Sequence, residues 1–277
     1  MNTSQQVALV TGASSGIGKA TALALISAGY TTYATARRPE TLTDLAAAGC
    51  RILRLDVTDD ASMVEAVRTA EAEHGAIDVL VNNAGYGEMG PIEEVSHERW
   101  LRQFETNVFG PVRLAQLALP AMRAQQSGRI IITGSMGGLF TFPFAGAYHA
   151  SKYAIESITD ALRFEVAPFG IQVILIEPAA VRTPLAQATL AMLTPQATSP
   201  YADAMGAYAR TAAAALEQGT GMEEPEQIAT VILSAIQAEK PATRYMIGAT
   251  AEQMVGARRS LADLDWDAML RQQYGIA

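Results

Sequence analysis

Short β-branched runs alternate along the chain with longer amphipathic stretches, and the two periods separate the elements. Strand-like segments are Val7–Thr11, Thr31–Ala36, Arg51–Asp56, Val79–Asn82, Arg129–Thr133, Val173–Glu177 and Tyr245–Ile247. Between them lie stretches of helical length at Ile17–Ala28, Pro39–Ala48, Ala61–His74, His97–Ala124 and Tyr148–Ala167. Pro225–Ala238 follows, opening on a proline where the first turn of a helix has no use for an N–H. Strands separated by helical crossovers predict a Rossmann-type doubly wound α/β fold: a parallel sheet of about seven strands with helices on both faces.

No Pro/Gly/Ser-rich linker and no repeat divides the 277 residues, so one domain over residues 1–277 is expected. Thr183–Met222 breaks the rhythm. Rich in Ala, Met and Thr, it is too long for a plain connection and is expected to carry helices of its own. Its apolar side chains, with glycines at 206, 219 and 221, suit a substrate lid at about residues 184–222.

Composition narrows the function. A hydrophobic content of 49% with 17% charged residues is that of a packed globular protein. A net charge of −8 argues against nucleic acid as a partner, which would call for a basic face. The single cysteine, Cys50, excludes an intrachain disulfide and a cysteine metal cluster, and its place before a hydrophobic run predicts a packed thiol. The histidines at 74, 97 and 149 show no ligand spacing, so no metal is expected. The N-terminal "MNTSQQ" lacks a signal pattern and no run approaches the ~18 apolar residues of a membrane span. A cytoplasmic protein with no membrane partner is expected.

"VALVTGASSGIGKATALAL" reads strand, glycine turn, helix, with Gly12, Gly16 and Gly18 spaced G-x-x-x-G-x-G. Glycines permit a tight turn and close backbone approach, and the helix N-terminus presents free N–H groups to a pyrophosphate. About twenty residues on, a carboxylate would select the free 2′-hydroxyl of NAD. Here the second strand ends "YATARRPE", with Arg37 and Arg38 and no acid before Glu40. Guanidinium groups grip phosphate, which points to NADP(H).

"AYHASKYAIE" sets Tyr148 and Lys152 four residues apart, on one helical face. Ser135 closes the fifth strand thirteen residues earlier, at the end of the sheet where ligands bind in such folds. With these residues in place, the chain resembles a short-chain dehydrogenase/reductase. The motifs that carry the resemblance are "TGASSGIG" (Thr11–Gly18), "DV" (Asp56–Val57), "NNAG" (Asn82–Gly85), "TNVFG" with Asn107, Ser135, the Y-x-x-x-K of Tyr148 and Lys152, and "EPAAVRT" (Glu177–Thr183).

The resemblance implies a catalytic set of Asn107, Ser135, Tyr148 and Lys152. Ser135 would steady the substrate oxygen, Tyr148 would exchange the proton, and Lys152 would draw the phenol down from about 10 toward neutrality. Lys152 and Tyr148 would also meet the cofactor, and Asn107 would hold a water that passes protons to Lys152. Further cofactor contacts implied are Ser14, Ser15 and Ile17 in the glycine loop, Asp56 and Val57 at the adenine, Asn83, Ala84 and Gly85 at the adenosine side, and Pro178, Val181 and Thr183 at the nicotinamide. One departure is Ala179, where the family usually has glycine, and its methyl is expected to adjust or narrow the site. His149, turned about 100° around the helix from Tyr148, is expected to face elsewhere. Met136, Gly137, Phe142, Phe144 and Tyr86 are expected to line an apolar substrate pocket.

The activity implied is NADPH-dependent reduction of an apolar ketone, or the reverse oxidation of a secondary alcohol. A hydroxysteroid- or retinol-type dehydrogenase working mainly in oxidation is the alternative. A nucleotide-sensing scaffold would have lost the tyrosine or the lysine, and both are present. The family habit of pairing long helices implies a homodimer or homotetramer.

Overall fold

The computed structural model describes residues 5–195, 197–219 and 221–276. Its main sheet contains β1 (Val7–Val10), β2 (Thr31–Ala36), β3 (Arg51–Arg54), β4 (Val79–Asn82), β5 (Gly128–Thr133), β6 (Ile171–Pro178) and β9 (Arg244–Ile247). All pairings are parallel, in the order β3-β2-β1-β4-β5-β6-β9. This is the doubly wound sheet expected from the sequence, and the order reverses between β1 and β4. A ligand crevice opens at such a switch point, beyond the carboxyl ends of the strands.

Alternation along β1 shows why both faces must be covered. Val7 and Leu9 enter a core with Met63 and Val67 of α3 (Asp60–His74), Leu114 and Met122 of α5 (Gly110–Ala124), and Ile155 of α6 (Gly146–Val166). Ala8 and Val10 face the opposite core, with Leu25 of α1 (Gly16–Ser27), Leu45 of α2 (Thr43–Ala47), and Ile228 and Ile232 of α9 (Pro225–Gln237). Leu9, Leu25 and Leu80 are wholly buried, each worth about 2–3 kcal/mol in removed apolar surface. Cys50 packs into the second core, where burial pushes its thiol up to about 11, so it is the inert thiol expected.

The stretch expected as one helix over His97–Ala124 is two. Between α4 (His97–Phe104) and α5 lies a π-turn over Glu105–Phe109. Two residues account for the widening. Pro111 cannot supply the N–H that an α-helix would aim at the Asn107 carbonyl. Gly110 lies against β3's outgoing chain so closely that a Cβ would come within 2.5 Å of the Val57 carbonyl.

The irregular segment has the helices expected, α7 (Pro184–Ala191) and α8 (Ala202–Gln218), closed at its base where β7 (Ala180–Val181) pairs with β8 (Met222–Glu223). The sequence pattern did not give α10 (Ala249–Ser260) or α11 (Asp263–Tyr274). Their buried positions are few: Ala251, Val255, Trp266, Leu270 and Tyr274. All but Ala251 meet Met205 and Tyr208 of α8 and Phe140 in a third core outside the sheet. Among the described residues no helix is long and apolar enough to cross a membrane.

Candidate active site

The glycine loop between β1 and α1 is built to leave its amides free. Gly12 and Gly16 take φ of +66° and +54°, the left-handed region where glycine is favoured. A Cβ at Gly18 would lie 2.5 Å from the Asn83 amide nitrogen, so only glycine lets α1 start here. Ser15 stands at the N-cap but makes no capping bond, and Ser14 and Ser15 are exposed. The first-turn N–H groups therefore lack a side-chain acceptor, the arrangement that receives a phosphate.

Asn83 braces this loop rather than opening onto it. Its amide donates to the Thr11 carbonyl at 3.0 Å, and the Thr11 hydroxyl accepts from the Asn83 and Ala84 N–H groups at 2.9 and 3.0 Å. Any ligand contact at 83–85 is thus left to the backbone and to exposed Gly85. Asp56 commits one carboxylate oxygen to Thr58, at 3.0 Å to the N–H and 2.8 Å to the hydroxyl, and Val57 is buried beside it. Arg37 and Arg38 are exposed at the end of β2, and neither guanidinium has a hydrogen bond or ion pair among the described residues. Ile17 packs against the second core. Across the crevice, the Thr183 methyl lies where a Cβ on Gly16 would be, 2.7 Å away, so the chain after Pro178 and Val181 reaches the glycine loop.

Ala179 does not narrow the crevice. It is buried, donates its N–H to the Ile247 carbonyl at 2.8 Å, and sets its methyl where Gly248 carries none. A Cβ on Gly248, at φ +105°, would come 2.8 Å from that methyl.

Ser135 leaves β5 at the crevice and accepts a hydrogen bond from the Gly137 N–H at 3.0 Å. Helix α6 brings Tyr148 toward the Ser135 hydroxyl, whose influence favours the ionised phenol. One turn on, the Lys152 ammonium lies 5.8 Å from the Tyr148 ring centre and donates to the Thr133 carbonyl at 2.8 Å. The expectation that Lys152 draws the phenol down is not met by the protein alone. Burial pushes Tyr148 above its usual value, only partly opposed by Ser135, because the ammonium lies over the ring instead of at the hydroxyl. Burial also lowers Lys152 itself to about 8.

Asn107 joins this group through its backbone neighbours. Its side-chain oxygen accepts from the Tyr86 N–H at 3.0 Å, and its amide donates to the Tyr86 carbonyl at 2.9 Å and the Ser151 hydroxyl at 3.1 Å. With both amide N–H groups engaged, a water is readily held at the main-chain carbonyl, the group Pro111 leaves without its α-helical donor.

His149 does not turn clear of Tyr148: the two rings meet edge to face at 5.5 Å, although both His149 nitrogens are committed elsewhere. Its Nδ1 donates to the Gly137 carbonyl at 2.7 Å and its Nε2 accepts from the Phe142 N–H at 3.2 Å. Burial holds its pKa down, so the neutral ring staples the loop that carries Ser135. Phe142 packs on that ring and on Tyr274, and Phe144, at φ +60°, packs on Tyr208. Sequence reasoning gave no sign of three further participants. Thr133 holds the lysine by its carbonyl, Tyr274 of α11 reaches Phe142 in the loop after Ser135, and Thr189 of α7 and the Tyr148 ring both border Gly87.

Comparison with known proteins agrees with this architecture. Residues 6–193 match the family model described as short chain dehydrogenase. The oxidoreductase BOA17 of Botryotinia fuckeliana is 34% identical over 89% of this chain and 90% of its own. Human 17-beta-hydroxysteroid dehydrogenase type 1 is 37% identical over 86% of this chain and 76% of its own. A short-chain dehydrogenase structure from Streptomyces avermitilis superposes with TM-score 0.80 at 36% identity, covering 98% of this chain and 96% of that one. A Burkholderia phymatum short chain dehydrogenase/reductase in complex with NAD gives 0.80 at 27% identity, covering 96% of each chain. An actinorhodin polyketide ketoreductase with NADPH gives 0.76 at 31%, covering 88% of this chain and 95% of that one. With a matching model over most of its length and relatives along nearly all of it, the chain belongs to the short chain dehydrogenase family of NAD(P)-dependent oxidoreductases.

Proposed function

We propose that the protein is an NADP(H)-dependent carbonyl reductase and alcohol dehydrogenase acting on an apolar ketone or secondary alcohol. The observation that carries the reading is the meeting of Ser135, Tyr148 and Lys152 at the carboxyl end of β5, next to an uncapped helix N-terminus. The loop Gly12–Gly18, Asp56–Val57, Asn83–Gly85 and Pro178–Thr183 would hold the dinucleotide, with Arg37 and Arg38 at its 2′-phosphate. When bound, the nicotinamide supplies or accepts the hydride at carbon.

In reduction, Ser135 and Tyr148 donate hydrogen bonds to the substrate oxygen, and Tyr148 delivers its proton to that oxygen as the bond order falls. Lys152 holds positive charge beside the developing phenolate. Because the protein by itself leaves Tyr148 raised, the lowering needed for turnover comes with charge brought into the crevice. The Asn107 carbonyl offers the water site that returns a proton to Lys152.

Helix α7 buries none of its own side chains and places Thr189 against Gly87, which the Tyr148 ring also borders, so it is the part of the segment suited to close over substrate. Helix α8 is fixed, its Met205 and Tyr208 buried against Trp266 and Tyr274. The proposed lid is therefore α7, hinged on the β7–β8 clasp, narrower than 184–222. The third core beside it favours an apolar substrate.

Exposed Leu101, Phe109, Tyr153 and Phe164 on α4, the π-turn and α6 support a homodimer or homotetramer through these helices. A single buried thiol suits a reducing cytoplasm. The test is NADPH absorbance against a panel of ketones, aldehydes and quinones, with Tyr148→Phe as control. That variant should bind NADPH and lose at least about a hundredfold in turnover. A loss under about tenfold, or no substrate oxidising NADPH, rejects the reading.

A further inference from the structure

One group of buried charges behind Lys152 has no part in the chemistry above. Glu156 follows Lys152 by four residues on α6, so both occupy one helical face. Its Oε2 pairs with the Arg244 guanidinium of β9, while Oε1 is buried with no hydrogen-bond partner. Glu177, 2% exposed near the end of β6, places Oε1 3.0 Å from the same Arg244 nitrogen. The other Arg244 nitrogen serves Asp160 at 2.7 Å, and Asp160 is shared with Arg163.

Two carboxyl groups on one nitrogen, both out of water, cannot both carry charge cheaply. The loop bearing Ser135 seals them in, since a Cβ on Gly138 would lie 2.8 Å from Glu156 Oε1. We propose that Glu156, crowded by Glu177 on the same Arg244 nitrogen, takes up a proton and through it sets the charge on Lys152, so that the two carboxyl groups act as a positioning pair for that lysine. Only the consequence for turnover rests on the function proposed above.

The electrostatics agree with this geometry. Burial raises Glu156 to about 7, with Arg244 opposing and Glu177 adding to the rise. Burial lowers Lys152 to about 8, and the Glu156 charge is what holds it up. When Glu156 loses its proton, the ammonium is favoured; when Glu156 is protonated, the lysine gives up its proton more readily. Tyr153 and Asp160 on α6, and Arg258 and Arg259 on α10, are the other ionisable groups on this side. On the Glu177 side the group borders a cleft of about 390 Å³ lined by Leu139, Glu177, Arg244, Met246 and Arg259.

The chain has only three lysines, Lys19, Lys152 and Lys240, so a 13C label at lysine Cε reports Lys152 directly in the full-length protein without cofactor. The expected titration of Lys152 shows a main inflection near 8 and a smaller one near 7. Glu156→Gln should abolish the smaller inflection and move the main one down by about one pH unit. Glu177→Gln should move the smaller inflection to lower pH, because the like charge that raises it is gone. The alkaline limb of kcat should shift with the main inflection. A single inflection for Lys152 in the parent overturns the proposal, as does a folded Glu156→Gln with an unmoved midpoint. If Glu156→Gln does not fold, the parent and Glu177→Gln titrations still decide. A parent that turns over no carbonyl compound yet shows both inflections would reject the proposed function and leave the pair standing.

Discussion

Replacing Lys152 with Met should make the protein more stable at neutral pH while removing its activity. Lys152 is 8% exposed, and burial takes its ammonium from 10.5 to about 8. At 1.36 kcal/mol per unit, keeping it charged in the fold costs about 3 kcal/mol at pH 7. Met fills the space of the stem but forfeits the bond to the Thr133 carbonyl, worth about 1.5 kcal/mol for a charged donor. The net gain is about 1–2 kcal/mol, or roughly 2–4 °C in Tm at this chain length. The sign of the pH dependence follows from linkage. Between about 8 and 10.5 the unfolded chain binds more protons than the folded one, so the parent gains stability as pH rises through that window. Urea unfolding of both proteins at pH 7 and pH 10 measures the difference, in which other titrating groups largely cancel. Lys152→Met should lead at pH 7, and its lead should shrink by about 2 kcal/mol by pH 10. A stability difference that does not change with pH would refute the reasoning.

Arg37→Asp should reverse a preference for NADPH over NADH in kcat/KM, since it removes a phosphate partner and adds a carboxylate suited to a ribose hydroxyl; equal efficiency with both cofactors in the parent counts against it. Asn107→Ala should cost about 2–4 kcal/mol in urea unfolding, because the buried Tyr86 N–H loses its acceptor, and should raise KM for the cofactor by loosening residues 83–86. Hydrogen exchange should be fast over Pro184–Ala191 and slow along α8 in the free protein, with α7 alone slowing on NADPH and a substrate analogue. Equal protection of both helices without ligand would return α7 to the fixed core.

What could be read ahead of the structure divides along physical lines. Strand positions were legible to within two residues at most ends because β1, β4 and β6 are buried on both faces, so hydrophobic runs and strands coincide. The site residues were legible because they hang on local spacings: a glycine turn, a strand end, an i,i+4 pair. What escaped depends on contacts distant in sequence. Glu177 and Arg244 lie 21 or more residues from Glu156 along the chain, and no local period marks them as neighbours. The break at Asn107 was half visible, since Pro111 stands where an α-helix needs an N–H, yet its cause also includes Val57 pressing on Gly110.

Helices α10 and α11 escaped for a related reason, and that reason bears on the lid. Their apolar residues are too sparse for a helical stripe, because they cover only a small third core whose other half comes from α8 and the substrate loop. Sequence composition therefore assigned Met205 and Tyr208 to an adaptable surface, when α11 already occupies them. The same packing divides the segment mechanically. Tyr274 packs tilted on Tyr208 at 4.6 Å and edge to face with Phe142 at 5.7 Å, tying α8 to the loop that follows Ser135. Under the proposed function, substrate fit would be shared between a wall of α8 and α11 and an α7 that buries none of its side chains, with Thr189 bordering Gly87. Changes in the wall should reach the Ser135 loop through Phe142 and His149, whereas changes in α7 should act on access alone.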